Sequence, residues 1–372
     1  MAAFPACALF RRSLANVRTL LPSMRRCGWA WRVRAMSSAY SSSAAPNNTG
    51  GPFDKAAVRA RDAKARHLRG VRAQRDDAGR EEGGDPDVVE RVAADELTDR
   101  LLDTNKTDFR SIAVVGGGRA AELVCENLAR RVAPVKAVER VHVVDADPDT
   151  RRLCLATFAA SNIEATDAHG DAEEPGFSNA FDAIIFPLNL HWCNRPDAAL
   201  TNARRALEKD GIMLAAILGG STLTSLRRAC VLAELERRGG VAPRVAPSIR
   251  MRDAGNLLGA ANFDAPAADA ETIRLRYPSP FALVEHLRYM GQTNVMSRGN
   301  ALTRDTALAA AAVAAAEAPE DADGGMDAEY ELLFLTGWAS DGNGTGGGCG
   351  GAKSARRGSA TVSLADLANQ LE

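Results

Sequence analysis

The sequence predicts an α/β protein with a doubly wound, mostly parallel sheet, and three observations carry the prediction. Short apolar runs rich in β-branched residues recur at 111–115 (SIAVV), 140–144 (RVHVV), 181–186 (FDAIIF) and 212–218 (IMLAAIL). Segments with helical spacing of apolar residues follow the first two, AAELVCENLARRV and DTRRLCLATFAA. Strands divided by helices of that length form parallel βαβ crossovers. The first run also ends in Gly116-Gly117-Gly118 before its helix, the strand–turn–helix step of such sheets.

The elements follow in order. Residues 1–53 hold seven arginines and no Asp or Glu, with Ser and Ala abundant and Leu, Phe, Val and Trp interleaved. An acid-free, Arg- and Ser-rich start of this kind reads as an organellar transit peptide, mitochondrial because arginine is dense throughout. The arginines interrupt every stretch that would serve as a secretory h-region. The competing reading is a basic disordered tail. Residues 53–80 are strongly charged with few large apolar side chains, which predicts a solvated helix, a lid or a docking element. EEGGDPDV at 81–88 breaks it, and VVERVAADELTDRLL at 88–102 has amphipathic helical spacing. The second half reads as more helical, with helices expected at 223–238, 251–261, 280–291 and 303–317. A late strand is expected at 330–338 (YELLFLTGW), its aromatic residues read as core. Domain boundaries follow: a transit peptide at 1–40, a linker and charged helix at 41–87, and the main domain at 88–338. A Gly-rich flexible insertion at 339–356 and a strand or helix at 357–372 complete the chain.

Composition excludes several classes. Hydrophobic residues are 46% and charged residues 25%, the balance of a globular chain. The longest apolar run, 307–316, is far short of the roughly 20 residues of a membrane span. Seven scattered cysteines without a CxxC pair suggest neither a disulfide framework nor a zinc site. The five histidines show no metal-ligand spacing, so no metal is expected. Without residues 1–53 the chain keeps 39 basic against 47 acidic side chains, which argues against nucleic-acid binding.

A strand that runs through glycines into a helix collects free backbone N–H groups at the helix N-terminus, and the missing Cβ lets a ligand approach. Gly116, Gly117 and Gly118 meet that description, although a plain tight turn would look the same. Asp145 ends the next strand, where an acid accepts hydrogen bonds from ribose hydroxyls. Together they suggest an adenosine-containing ligand. The patterns for a dinucleotide (GxGxxG) and for a nucleoside triphosphate (the P-loop) are absent. Gly170-Asp171-Ala172-Glu173-Glu174 then precedes Phe181-Asp182, an order found in class I S-adenosylmethionine-dependent enzymes, where such an aspartate meets the adenine edge. An acidic surface turn is the alternative for this segment alone.

The chain resembles that methyltransferase fold further at Leu188-Asn189-Leu190-His191-Trp192 and Leu207-Glu208-Lys209-Asp210-Gly211. More specifically it resembles the mitochondrial arginine-hydroxylase assembly factors of respiratory complex I. Leu218-Gly219-Gly220-Ser221-Thr222-Leu223, Asn256-Leu257-Leu258-Gly259, Tyr277-Pro278, Arg304-Asp305-Thr306 and Arg357-Gly358-Ser359-Ala360-Thr361 carry the likeness, with Phe53-Asp54-Lys55 and the basic helix after it. The resemblance spans roughly residues 53–365 and implies a seven-stranded, Rossmann-like sheet that binds S-adenosylmethionine. It implies hydroxylation of an arginine in an iron–sulfur-bearing complex I subunit or early assembly intermediate, in the mitochondrial matrix or peripherally at the inner membrane. Carried over by position, Gly116, Gly117 and Gly118 hold the methionine end, Asp145 the ribose and Asp171 the adenine, with His191 and Trp192 beside the cofactor as the catalytic candidates.

Three departures stand against the family pattern. Val114-Val115 replaces the acid that ends the first strand, Ala120 replaces the last motif glycine, and Gly219-Gly220-Ser221 stands for Gly-Gly-Asp. His191 reads either as a proton carrier or as a packing histidine beside Trp192. Two further functions stay open: a methyltransferase, akin to the carrier-protein methyltransferase of biotin synthesis, and a non-catalytic assembly chaperone with a degraded cofactor pocket.

Overall fold

A computed structural model describes residues 51–76, 85–175, 181–296, 302–317 and 325–339. The expected transit peptide and the C-terminal 357–372 segment lie outside the described residues, as does the Gly-rich insertion after Ala339. The first elements are α1 (Lys55–Asp76), α2 (Val88–Leu102), β1 (Asp108–Val115), α3 (Arg119–Asn127), β2 (Ala137–Asp145), α4 (Pro148–Thr157) and β3 (Glu164–His169). They are followed by β4 (Phe181–Pro187), α5 (Pro196–Ala206), β5 (Leu207–Leu218), α6 (Thr224–Arg238) and α7 (Met251–Ala260). Then come β6 (Asp264–Tyr277), α8 (Pro280–Met290), α9 (Arg304–Ala316) and β7 (Met326–Trp338). The chain divides into two compact units, one of residues 87–219, 249–271 and 332–372, the other of 1–86, 220–248 and 272–331. The segment expected as one domain, 88–338, contributes to both.

The strands form one seven-stranded sheet in the order β3-β2-β1-β4-β5-β7-β6. β1 pairs in parallel with β2 and with β4, β4 pairs in parallel with β5, and β7 runs antiparallel to β5. Chain order reverses between β1 and β4, so the crevice beyond their C-terminal ends is the topological switch point where ligands of α/β sheets bind. The central strands need no alternation because helices cover both faces. Ile112 to Val115 of β1 and every residue of β4 are buried. α2 lays Val89, Ala93, Leu97 and Leu101 into this core, a stripe of i, i+4 spacing. Its Arg100 stands over the Phe334 ring at 4.2 Å.

At the opposite end of the strands, Asp182 is nearly fully buried and accepts the N–H groups of Arg110 (2.7 Å) and Ser111 (3.1 Å) while pairing with Lys106. It fixes β4 against the first residues of β1, ahead of Ile112 where the β1–β4 register begins.

Two strands differ from expectation. β3 (EATDAH) and β6 (DAPAADAETIRLRY) are the outermost strands of the sheet and mostly exposed or half-exposed, so they lack apolar runs. β5 also begins earlier than expected, at Leu207 directly after α5, which places Leu207 to Gly211 within the strand. The long stretch before β2 contains a π turn, Leu128–Val132, that extends α3.

In the other unit, α6 and α9 pack through small residues, Cys230 and Ala233 against Ala309 and Ala310. The buried Glu234 accepts Arg244 Nε at 2.7 Å. α1 is held by polar as much as apolar contacts: Arg69 donates to the Tyr289 carbonyl at 3.3 Å, and Arg72 lies 5.7 Å from the Tyr289 ring centre. Tyr330, read from sequence as plain core, is fully buried but bonds through its hydroxyl to Tyr277 (3.0 Å), which in turn meets His286 Nδ1 at 2.5 Å.

Candidate functional site

The crevice at the switch point is built from four chain segments, each leaving the C-terminal end of a strand. After β1, three consecutive glycines adopt positive φ: 63° at Gly116, 99° at Gly117 and 53° at Gly118. The three have different neighbours. A Cβ on Gly116 would fall 2.1 Å from Asn189 Nδ2, and one on Gly117 would fall 2.0 Å from the Pro187 carbonyl oxygen. Beside Gly118 nothing lies within 4 Å. The first two glycines therefore let β1 and the segment after β4 approach each other, whereas Gly118 faces open space. The N–H groups of Gly117 and Gly118 have no protein acceptor among the described residues. Two such donors at the start of α3, with room for an incoming group, fit a carboxylate.

Arg119 follows at once, but it is not offered to a ligand. Its Nε bonds to Asp87 at 2.8 Å and its Nη1 to Glu122 at 2.9 Å. Burial lowers its affinity for a proton, yet Asp87 and then Glu122 outweigh that, so the guanidinium is held charged above its ordinary range. Glu122 is buried, and its Oε1 accepts no hydrogen bond.

After β2, Asp145 Oδ1 accepts the Asp147 N–H at 2.7 Å, and Arg151 donates to the Asp145 carbonyl at 2.7 Å. Asp147 in turn caps α4 by accepting from the Thr150 N–H (3.1 Å) and hydroxyl (2.7 Å), with Pro148 in the first turn. The Asp145 side chain is thereby set at the strand end by a cap that follows it.

After β3, Asp171 does not simply point outward. Its Oδ1 accepts the N–H groups of Glu173 and Glu174, both at 2.9 Å, closing the GDAEE loop on itself. Sequence reasoning passed over Glu173, which ties this loop to the next one. Its Oε1 accepts the N–H groups of Asn194 and Arg195, and its carbonyl accepts Asn202 Nδ2 at 2.9 Å. No pattern in the sequence marks that role.

After β4, Leu188 sits at φ 51°, a strained turn for a leucine, with its N–H on the Ala216 carbonyl at 2.9 Å. The turn swings Asn189 towards Val115, whose carbonyl lies 3.5 Å from Asn189 Nδ2. His191 and Trp192 follow in a 3₁₀ turn, both largely buried, their rings 5.4 Å apart. His191 Nδ1 accepts the Leu218 N–H at 3.5 Å. This bond ties the segment after β4 to the end of β5, a positioning contact that both readings of His191 must include.

The three glycines, Asp145, Asp171, His191 and Trp192 thus belong to one unit and to the C-terminal ends of adjacent strands. Residues 115–215 match the model of a methyltransferase domain family. An arginine-hydroxylase NDUFAF5, mitochondrial, from Danio rerio is 34% identical over 283 residues, covering 76% of this chain and 82% of the relative. The chain belongs to the arginine-hydroxylase NDUFAF5 family. The human NDUFAF5 relative is 39% identical over 220 residues, 59% of this chain and 62% of its own length. A malonyl-[acyl-carrier protein] O-methyltransferase of Laribacter hongkongensis is 33% identical over 165 residues, 44% of this chain and 53% of that one. Membership in the NDUFAF5 family places the protein among enzymes built on a methyltransferase-like fold, and the strand order agrees with it.

Proposed function

We propose that the protein binds S-adenosylmethionine at the β1–β4 crevice and hydroxylates an arginine of a complex I subunit during assembly. The subunit expected is an iron–sulfur-bearing one, met in the mitochondrial matrix or at the surface of the inner membrane. The observation that carries this is the cradle after β1, with two free N–H groups and open space at Gly118, in a chain of the NDUFAF5 family. Gly117 and Gly118 would receive the carboxylate of the methionine end, while Gly116 serves by admitting Asn189. Asp145 would accept the ribose hydroxyls, and Asp171, shaping its loop, would border the adenine. When bound, S-adenosylmethionine would supply an electrophilic methyl group on a cationic sulfonium centre, chemistry that serves methyl transfer; the hydroxylation would take its oxygen atom from dioxygen, the other oxygen atom leaving as water with two electrons and two protons from an added reductant. The chain's own part is to hold that group, to exclude water with the buried Leu190 and Trp192, and to set the His191 ring beside it through the Leu218 N–H.

The match of 115–215 to a methyltransferase domain favours a second reading, methyl transfer to a protein substrate. The two differ by what is added. The protein is incubated in air with S-adenosylmethionine, a two-electron reductant and isolated complex I assembly intermediates, and the subunits are digested and weighed. A gain of one oxygen on an arginine supports the hydroxylase. A methyl gain without oxygen overturns it in favour of methyl transfer, and neither gain leaves the non-catalytic assembly role.

A further inference from the structure

The loop after β3 and the turn after β4 meet at one residue, Glu173. Its N–H donates to Asp171 Oδ1 at 2.9 Å, while its Oε1 accepts the N–H groups of Asn194 and Arg195. Its carbonyl accepts Asn202 Nδ2 of α5 at 2.9 Å. The loop side of this junction is firmly seated. Ala172 is buried in the core, and a Cβ on Gly170 would fall 2.9 Å from Val144 Cγ1. The Gly170 N–H bonds to the Asp145 carbonyl at 3.5 Å, so the candidate ribose and adenine carboxylates share one backbone frame.

On the other side, α5 begins without a cap of its own. Arg195 holds the N-cap position with no side-chain cap bond, and Pro196 follows it. A carboxylate supplied from another loop suits that positive helix end. Capping alone does not need the rest of the arrangement. The N–H groups that Glu173 holds come directly after His191, Trp192 and Cys193. Their turn is closed by Trp192 N–H on the Asn189 carbonyl (2.9 Å) and Cys193 N–H on the Leu190 carbonyl (3.2 Å). On its far side the His191 ring meets the Leu218 N–H. Glu173 therefore holds Asp171 through its backbone and the end of the His191–Trp192 turn through its side chain. A shift of either is passed to the other through a single residue.

We propose that Glu173 is a positioning residue, which makes the setting of His191 and Trp192 depend on whether the adenine end of the cofactor is seated at Asp171. The proposal rests on the S-adenosylmethionine reading above. Its test is amide hydrogen exchange at Trp192 and Cys193 in the full chain, with and without S-adenosylmethionine at a concentration that calorimetry shows to saturate each variant. In the wild type the ligand is expected to slow these two amides by about tenfold, a coupling of ordinary size. Glu173→Ala should still bind at higher concentration, yet the ligand should then slow them by less than about twofold. Glu173→Gln keeps a neutral acceptor in place of a charged one and should fall between the two. A residue that only capped α5 would change exchange with and without ligand alike and leave the ligand's effect intact. If Glu173→Ala fails to fold or to saturate, Glu173→Gln decides: a ligand effect smaller than in the wild type supports the proposal, and an equal one overturns it. A folded, saturated Glu173→Ala with the wild-type response overturns it, as does a wild type that binds without slowing these amides; both leave the cofactor reading standing. A folded wild type that binds no S-adenosylmethionine overturns both.

Discussion

The glycine run predicts a graded response to a single methyl group. At Gly117 the added Cβ would fall 2.0 Å from the Pro187 carbonyl oxygen and 2.8 Å from Pro187 Cγ, in a backbone at φ 99°. The backbone oxygen belongs to the end of β4 and cannot rotate away as a flexible side chain would. The left-handed conformation costs an alanine about 1–2 kcal/mol, and forcing a methyl into a packed region adds about 1–3 kcal/mol. Gly117→Ala should therefore destabilise the protein by about 2–5 kcal/mol. At Gly118, with φ 53°, ψ −118° and nothing within 4 Å, only the backbone term applies, about 1–3 kcal/mol. The Gly118 methyl instead occupies the open space expected for the ligand, so Gly118→Ala should weaken S-adenosylmethionine binding more than its loss of stability explains. Urea unfolding of both variants, followed by tryptophan fluorescence at constant m, measures the first difference. Equal stabilities for the two would refute the steric argument, and a stable Gly118→Ala with unchanged binding would refute the assignment of the cradle.

Two further expectations concern the rest of the sheet. Asp182→Ala removes the acceptor of two backbone N–H groups and the partner of Lys106, so it should cost about 3–5 kcal/mol; a loss below 1 kcal/mol in urea unfolding would show that the anchor does not hold β4. His142, part-buried against Phe181 and sharing a hydrogen bond of 2.6 Å with the Thr166 hydroxyl through Nδ1, has its proton affinity lowered by burial and then by Arg140. In the fold it takes up its proton at lower pH than in the unfolded chain, which does so near pH 6.5. Its contribution is therefore complete above that pH and is lost as pH falls through it. Stability measured at about pH 7.5 and about pH 5 should fall more for the wild type than for His142→Asn, and an equal or smaller fall would contradict the direction.

Legibility in the sequence followed burial. β1, β4, β5 and β7 are interior strands with apolar runs, and their presence could be read directly. β3 and β6 close the two edges of the sheet with polar, half-exposed side chains, and period-2 apolar patterning fails where neither face is fully covered. In the crevice, the glycines and Asp145 announce themselves because the backbone conformation and the strand end restrict residue type. Asn189 and Leu188 do not: an asparagine filling the space left by a glycine, and a leucine forced to positive φ, have no sequence mark. The link made by Glu173 is equally silent, since it joins segments more than 20 residues apart through backbone N–H groups that any residue supplies.

The most direct test of the account is a calorimetric titration of S-adenosylmethionine into the full chain. Saturable binding at one site per chain, weakened by about tenfold in Asp145→Asn, which keeps the acceptor for the Asp147 N–H but loses the charge, is the result the account predicts. A wild-type chain that is folded yet shows no binding would contradict it, because the Val114-Val115 strand end would then have disabled the crevice that the glycines frame.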